Sequence, residues 1–63
     1  MMRIIEGSCV KWIERPNDIG IVEEMGEDGT WATVYYGEDD ELEDVDVTEL
    51  TAVICPDEEG EDW

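Results

Sequence analysis

Carboxylates are the only side chains abundant enough in this sequence to define its chemistry. The 63-residue chain has 20 Asp and Glu, no histidine and only three cations, Arg3, Lys11 and Arg15. Its formal charge is −17, whereas solubility of a small domain needs a charge of only about 2–8 in magnitude. Packing so many like charges on one folded body costs self-repulsion energy. The negative field is therefore the main functional clue in the sequence.

No combination of these residues predicts an enzyme. General acid–base catalysis needs a pocket that shifts carboxylate pKa values, and so short a chain has little interior for one. The single serine, Ser8, has no partner base, and no phosphate-binding glycine loop is present. We expect no catalytic residue and no cofactor.

Metal binding is also not predicted. In the acidic run from 38 to 49, an EF-hand loop starting at Glu38 would place Leu42 where an oxygen ligand is required. Cys9 and Cys55 form no CxxC pair and have no histidine to complete a zinc site. We interpret them as two ordinary reduced residues of a cytosolic chain, with a disulfide between the first and last strands as the alternative.

Short β-type segments separated by turn residues fill most of the chain and predict an all-β fold. The strongest turn signal is Asp28-Gly29, and Arg15–Asp18 is also predicted to be a turn or loop. Regular spacing of short strands is typical of a small closed or partly open barrel. We expect the barrel in residues 1–55 and a disordered acidic tail in residues 56–63. The predicted strands are 8–13, 20–25, 30–36, 41–47 and 51–55, with one helical turn over 48–50.

Alternation of side chains along a strand assigns the two faces of segment 30–36. Ala32, Val34 and Tyr36 share the face that we predict to be the core. Trp31 and Tyr35 are then left on the outer face, in the open.

Spacing in the second strand predicts an irregularity. Val22 and Met25 are three residues apart, so both can point inward only if a β-bulge lies between them.

Four short motifs, spread over roughly residues 7–54, together resemble a known family. They are Gly7-x-x-Val10-x-Trp12, Gly20-Ile21-Val22-x-x-Met25, Ala32–Tyr36 and Glu49-Leu50. The pattern resembles small SH3-like barrels of the Tudor and KOW types and of the type found in photosystem I. It is also similar to the Tudor-like N-terminal domain of the bacterial RNA-polymerase-associated Swi/Snf ATPase.

The resemblance implies both a fold and a class of function. The implied fold is a five-stranded barrel with a short helical turn before the last strand. The implied function is that of a non-enzymatic binding module, often one found in transcription or chromatin machinery.

The charge suggests a mimic of nucleic acid. A compact domain of this size spans about 25–30 Å, a length over which B-DNA carries about 15–17 phosphates at one per ~1.7 Å. We expect the protein to occupy the basic cleft of a DNA- or RNA-handling protein, such as RNA polymerase, a nuclease or a defence enzyme, as a phage- or plasmid-type inhibitor would. Apolar specificity is assigned to Trp31 and Tyr35. The carboxylates expected to replace phosphates are Asp39, Asp40, Glu41, Glu43, Asp44 and Asp46.

Two other functions remain open. One is an accessory subunit or peptide-binding module in a larger assembly, and the other is a methyl-lysine or methyl-arginine reader that uses an aromatic cage. Direct nucleic-acid binding and membrane association are not expected, because both surfaces are anionic. The absence of a signal-peptide core or an apolar span of about 20 residues favours a cytoplasmic location.

Overall fold

The computed structural model describes residues 3–55, and these residues form one antiparallel sheet. Its strands are β1 (Cys9–Trp12), β2 (Arg15–Met25), β3 (Trp31–Tyr36), β4 (Glu41–Asp46) and β5 (Leu50–Val53), and a 3₁₀ turn (Val47–Glu49) precedes β5. The strands lie in the order β4-β3-β2-β1-β5. The predicted all-β class, the five strands and the helical turn before the last strand are confirmed. The predicted tail, residues 56–63, lies outside the described residues.

One cluster of buried side chains holds the sheet together, and it draws on all five strands. Val45 in β4 and Leu50 in β5 belong to the same cluster, although these two strands are at opposite ends of the strand order. The sheet must therefore curve around its own inner face, which gives the domain its barrel-like form. The cluster consists of Val10, Val22, Ala32, Val34, Tyr36, Val45 and Leu50.

The predicted faces of β3 are confirmed. Ala32, Val34 and Tyr36 are all at most 1% exposed, whereas Trp31 is 41% exposed and Tyr35 is half-buried. The central strand thus supplies three side chains to the core, and its other face stays accessible.

The bulge predicted in β2 is also present. Val22 pairs with Val34 and Glu24 with Thr33, so the register shifts by one residue between these two pairs. Val22 is buried and Met25 packs against the core, as the three-residue spacing required.

The turn predicted at Arg15–Asp18 is wrong, because these residues begin β2. Arg15 pairs with Trp12, but pairing of β2 with β3 begins only at Ile21. Pro16 therefore lies in a part of the strand where no β3 partner needs its missing N–H. Proline is tolerated at such unpaired strand positions.

The interpretation of Cys9 and Cys55 as unpaired residues is wrong, because they form a disulfide. In the β1–β5 ladder Cys9 pairs with Val53, so the chain carries residue 55 past the same point on β1. The two Cα atoms lie 5.3 Å apart across 46 positions of sequence, a separation typical of disulfides. The bond fastens the end of the described chain to the first strand.

Among residues 3–55 there is no helix of the length and hydropathy that crossing a membrane requires.

Gly20 is expected to be intolerant of even one added methyl group. A Cβ at this position would collide with Val34 Cγ1 and lie 3.0 Å from Tyr36 Cε1, both in the closely packed core. We expect Gly20→Ala to lower the free energy of unfolding by about 1–3 kcal/mol, the usual cost of overpacking, as measured by urea denaturation.

Gly37→Ala is the matched control, because its Cβ would lie 3.6 Å from Tyr35 Cε2, an ordinary contact. Equal stability of the two variants would contradict the packing described for Gly20.

Reduction of the disulfide is expected to destabilise the domain strongly. Cross-linking residues 46 positions apart restricts the unfolded chain and contributes about 4 kcal/mol in the chain-entropy treatment. Urea unfolding with and without dithiothreitol, together with the Cys9→Ser/Cys55→Ser double variant, measures this contribution. If all three samples unfold at the same urea concentration, the cross-link does not stabilise the fold.

Candidate protein-binding surface

The six carboxylates predicted to form the binding surface lie on different parts of the molecule. Asp44 pairs with Thr33 and Asp46 with Trp31, which places these two carboxylates on the outer face of the sheet. Glu41 and Glu43 pair with the buried Tyr36 and Val34, so they lie along the inner side of the edge strand. The remaining two, Asp39 and Asp40, are in the turn between β3 and β4. The structure therefore does not bring all six onto one face.

Carboxylates at the outer face are held by neutral hydrogen-bond donors. The Thr33 hydroxyl donates to Asp44 Oδ1 at 2.7 Å, and the Tyr35 hydroxyl donates to Asp40 Oδ1 at 3.0 Å. The hydrogen bond from Tyr35 to Asp40 also raises the pKa of Tyr35, because the bond stabilises the protonated phenol. These donors fix the position of each carboxylate without cancelling its charge.

Two Asp-x-Thr segments hold further carboxylates in the same manner. In Asp28-Gly29-Thr30 and in Asp46-Val47-Thr48, the Asp Oδ1 accepts from both the backbone N–H and the hydroxyl of the Thr. The two backbone bonds are 3.1 and 2.9 Å long. They lower the pKa of Asp28 and of Asp46 below the ordinary value, since a donor to the charged form favours ionisation.

Both Asp-x-Thr segments are at one end of the sheet. The Val47 N–H donates to the Thr30 carbonyl at 3.0 Å and joins the two turns. Asp46 also caps the 3₁₀ turn, so it has a structural role in addition to the predicted binding role. The sequence analysis missed this arrangement, although the repeated Asp-x-Thr spacing was a readable signal for side-chain turns.

Arg15 organises the opposite end of the sheet, and the sequence analysis did not single it out. Its guanidinium contacts Asp18 at 3.1 Å, Asp39 at 2.5 Å and Glu41 at 3.4 Å. Its Cζ also lies 4.0 Å from the centre of the Tyr36 ring, within cation–π range. The hydrogen bond to Asp39, with that to Asp18, raises the pKa of Arg15.

Arg15 therefore compensates two of the predicted binding carboxylates, Asp39 and Glu41. The signal available in the sequence was weak: Arg15 is one of three cations, and its partners are up to 26 positions away.

Tyr36 lies beneath Arg15 and has an unusual hydroxyl. The side chain is 1% exposed, and within the described residues its buried hydroxyl has no hydrogen-bond partner. Burial raises the pKa of Tyr36, and the charge of Arg15 partly opposes this effect. Tyr36 thus serves the core and the Arg15 cluster rather than the accessible surface.

Trp31 is the most accessible of the aromatic residues predicted to bind a partner. Its indole packs on Gly26, where an added Cβ would collide with the ring, and it is 41% exposed. A shallow depression of about 390 Å³ runs beside it and is lined by Glu24, Met25, Glu27, Asp28 and Trp31. Carboxylates therefore surround the exposed indole.

The aromatic residues do not converge on a cage. Trp31 and Tyr35 are four residues apart on β3, which corresponds to about 13 Å at ~3.3 Å per residue. Trp12 packs against the core and donates its indole N–H to Glu49 Oε1 at 3.0 Å. Together with Tyr36 under Arg15, the four rings occupy separate places.

Most of the negative charge is uncompensated. Residues 3–55 carry 15 carboxylates and three cations, a formal charge of −12, and no charged side chain in this segment is buried. The salt bridges found there are those of Arg15 with Asp18, Asp39 and Glu41, which leaves 12 of the 15 carboxylates without one. In the same segment no group of three or more potential ligands is arranged to hold a metal ion.

Comparison of the chain with protein-family models, with curated proteins and with solved structures found no match. The fold and the geometry of the surface are therefore the basis for any functional assignment.

Loss of the Asp46 cap is expected to destabilise the turn before β5. We expect Asp46→Ala to lower Tm by about 4 °C, because the Thr48 N–H loses its acceptor. Asp46→Asn retains an acceptor oxygen and is expected to lose less.

The effect of Asp46→Ala has a definite pH dependence. The pKa of Asp46 is depressed in the folded state, so its stabilisation is present above the unfolded pKa of about 3.8. It is lost as pH falls through the lower, folded pKa. The Tm difference between wild type and Asp46→Ala should be constant from about pH 7 to about 5 and shrink below about 4. A difference that grows under acid would refute the hydrogen-bond assignment.

Proposed function

We propose that this protein is a non-enzymatic acidic module that binds a basic protein surface. In this proposal it occupies the cleft with which a DNA- or RNA-handling protein binds nucleic acid, and it inhibits or modulates that protein. Candidate partners are RNA polymerase, nucleases and defence enzymes. The proposal includes no direct contact of this chain with nucleic acid.

One observation carries the proposal: carboxylates on the accessible surface are held in place by uncharged donors. Asp40, Asp44 and Asp46 each accept a hydrogen bond from a Tyr or Thr group, and Asp28 does the same in the other Asp-x-Thr turn. A fixed charge loses less conformational freedom on binding than a mobile one. Charges that serve only to solvate a surface have no need of such positioning.

The amount of charge is adequate for mimicry. The described segment carries −12 and the whole chain −17, with a Cα radius of gyration of 11.5 Å. A duplex about 25–30 Å long carries about 15–17 phosphates, so the two charges are of similar size. A basic cleft would attract both by the same long-range field, and association would be fast at low salt.

The fold supports the kind of module that we propose. The strand order β4-β3-β2-β1-β5, with a 3₁₀ turn before β5, agrees with the SH3-like, Tudor-like barrel that the sequence resembles. We include that family in the proposal, together with a role in transcription, an origin as a phage- or plasmid-type inhibitor and a cytoplasmic location. In a reducing cytoplasm the domain must also fold without its disulfide, which the dithiothreitol measurement above tests.

A second candidate function is an accessory subunit that docks permanently in a larger assembly. Exposed apolar side chains favour it, since Leu42 is 61%, Ile13 68% and Ile54 79% exposed. A methyl-lysine or methyl-arginine reader has less support, because the aromatic rings are dispersed and Arg15 already covers the Tyr36 ring.

Affinity capture separates the two candidates. The protein is immobilised, incubated with cytosolic lysate and eluted with a salt gradient, and the eluted proteins are identified by mass spectrometry. We expect a nucleic-acid-handling enzyme to elute as salt rises and to be displaced by duplex DNA, because salt screens exposed charge pairs. The Asp40→Asn/Asp44→Asn variant keeps its acceptor oxygens but loses two charges, so it should release the same enzyme at lower salt.

A retained partner that resists salt and ignores DNA would overturn the mimicry proposal and support the accessory-subunit function. In that case the two-charge variant should behave as the wild type does.

A further inference from the structure

A row of apolar side chains crosses the outer face of the sheet, with one residue from each strand. Leu42 pairs with Tyr35, Tyr35 with Ile21, and Ile21 with Cys9, which in turn pairs with Val53. Residues directly opposite each other in antiparallel strands point to the same face. At about 4.8 Å per strand, this apolar row is about 19 Å long.

Much of the apolar row is accessible to a partner. Leu42 is 61% and Ile21 40% exposed, while Tyr35 and Val53 are half-buried. Cys9 is covered, because it forms the disulfide at the β1 position of the row. A continuous apolar surface with polar borders is typical of an interaction site, whereas single exposed apolar residues are not.

Carboxylates border the apolar row over β2, β3 and β4. On one side the next outward residues are Glu24, Thr33 and Asp44, which are paired in register. On the other side the Tyr35 hydroxyl reaches Asp40. Strand alternation also places Lys11 on this face, at the β1–β5 end, so the acidic border covers the opposite half of the row.

A cleft continues the apolar row at its centre. It has a volume of about 430 Å³ and lies between the first half of β2 and the turn after β3. Cys9 and Ile21 belong to both the cleft and the row, and Ile19 extends the apolar lining. Asp18 and Glu38 add carboxylates at this site. The cleft is large enough to admit one apolar side chain of a partner.

We propose that the apolar row and its cleft are the docking site for a basic amphipathic segment of the partner protein. This inference rests on the proposed function and names the partner contact that gives it specificity. Charge complementarity selects the occupant, since the border is acidic and lacks the cations that an acidic segment would need. A second copy of this chain would bring another −17 to the same face and be repelled.

A helix matches the spacing of the apolar row. Side chains on one face of a helix recur at about 5.4 Å per turn, close to the ~4.8 Å between strands. Lys and Arg on the flanks of such a helix would reach the bordering carboxylates. The contact replaces the predicted pair of Trp31 and Tyr35 with Leu42, Tyr35 and Ile21 as the apolar anchors.

Two synthetic peptides test the inference on the full chain. One is a helical peptide with Leu once per turn and Lys on both flanks, and the other has Gln in place of every Leu. Binding is followed by NMR titration of the ¹⁵N-labelled protein at low and at physiological salt. We expect the Leu peptide to bind at least about tenfold more tightly and to shift the amides of Ile21, Tyr35 and Leu42. Leu42→Ser should remove most of that advantage, whereas Ile13→Ser, an equally exposed control away from the row, should not.

The outcomes distinguish the inference from the function on which it rests. Equal binding of both peptides, unaffected by Leu42→Ser, overturns the docking site and leaves the acidic-module proposal standing. Failure of both peptides to bind at low salt contradicts the acidic module itself, and the docking site falls with it. Concentration-dependent dimerisation that Leu42→Ser abolishes, measured by sedimentation, assigns the row to a second copy instead.

Discussion

Mutual repulsion of carboxylates is the constraint on which the rest of this structure depends. Fifteen of them surround a core of seven buried residues in the described segment, and none is buried. A domain of this size buries only about 60% of its unfolded surface, so hydrophobic burial alone leaves little stability to oppose the repulsion. The disulfide and the Arg15 cluster supply cross-links where the core is thinnest, at the end of β5 and at the β3–β4 turn.

The two ends of the sheet treat their charges differently. At the Arg15 end, one guanidinium compensates three carboxylates and covers a buried aromatic ring. At the other end, Asp28 and Asp46 are held by Thr groups that leave their charge intact. The first arrangement stabilises the fold, and the second presents fixed negative charge to a partner. We therefore assign binding to the outer face and the Asp-x-Thr end rather than to the full set of acidic residues between 39 and 46.

Local patterns in the sequence predicted local structure well. Alternation along β3 identified Ala32, Val34 and Tyr36 as core, and the spacing of Val22 and Met25 identified the bulge. These features depend on the two-residue period of a strand, which is visible within a few positions of sequence.

Features that depend on pairing between distant strands were not predictable in the same way. The disulfide follows from the register of β1 against β5, and the Arg15 cluster follows from the approach of β2 to the β3–β4 turn. Pro16 was misread as a turn residue because its unpaired position in β2 becomes apparent only once β3 is placed. The apolar row depends on register across all five strands, so no single segment reveals it.

The measurement that tests the central claim most directly is the salt dependence of affinity for a captured partner, with two charge-matched variants. Asp44→Asn/Asp46→Asn removes two carboxylates that hydrogen bonds hold in place. Glu6→Gln/Glu14→Gln removes two exposed carboxylates that lie outside these hydrogen-bonded sets. If fixed charge on the outer face carries binding, the first variant loses more affinity and its plot of log Kd against log salt is flatter than that of the second. Equal losses in both variants would show that only net charge matters, and would contradict the account.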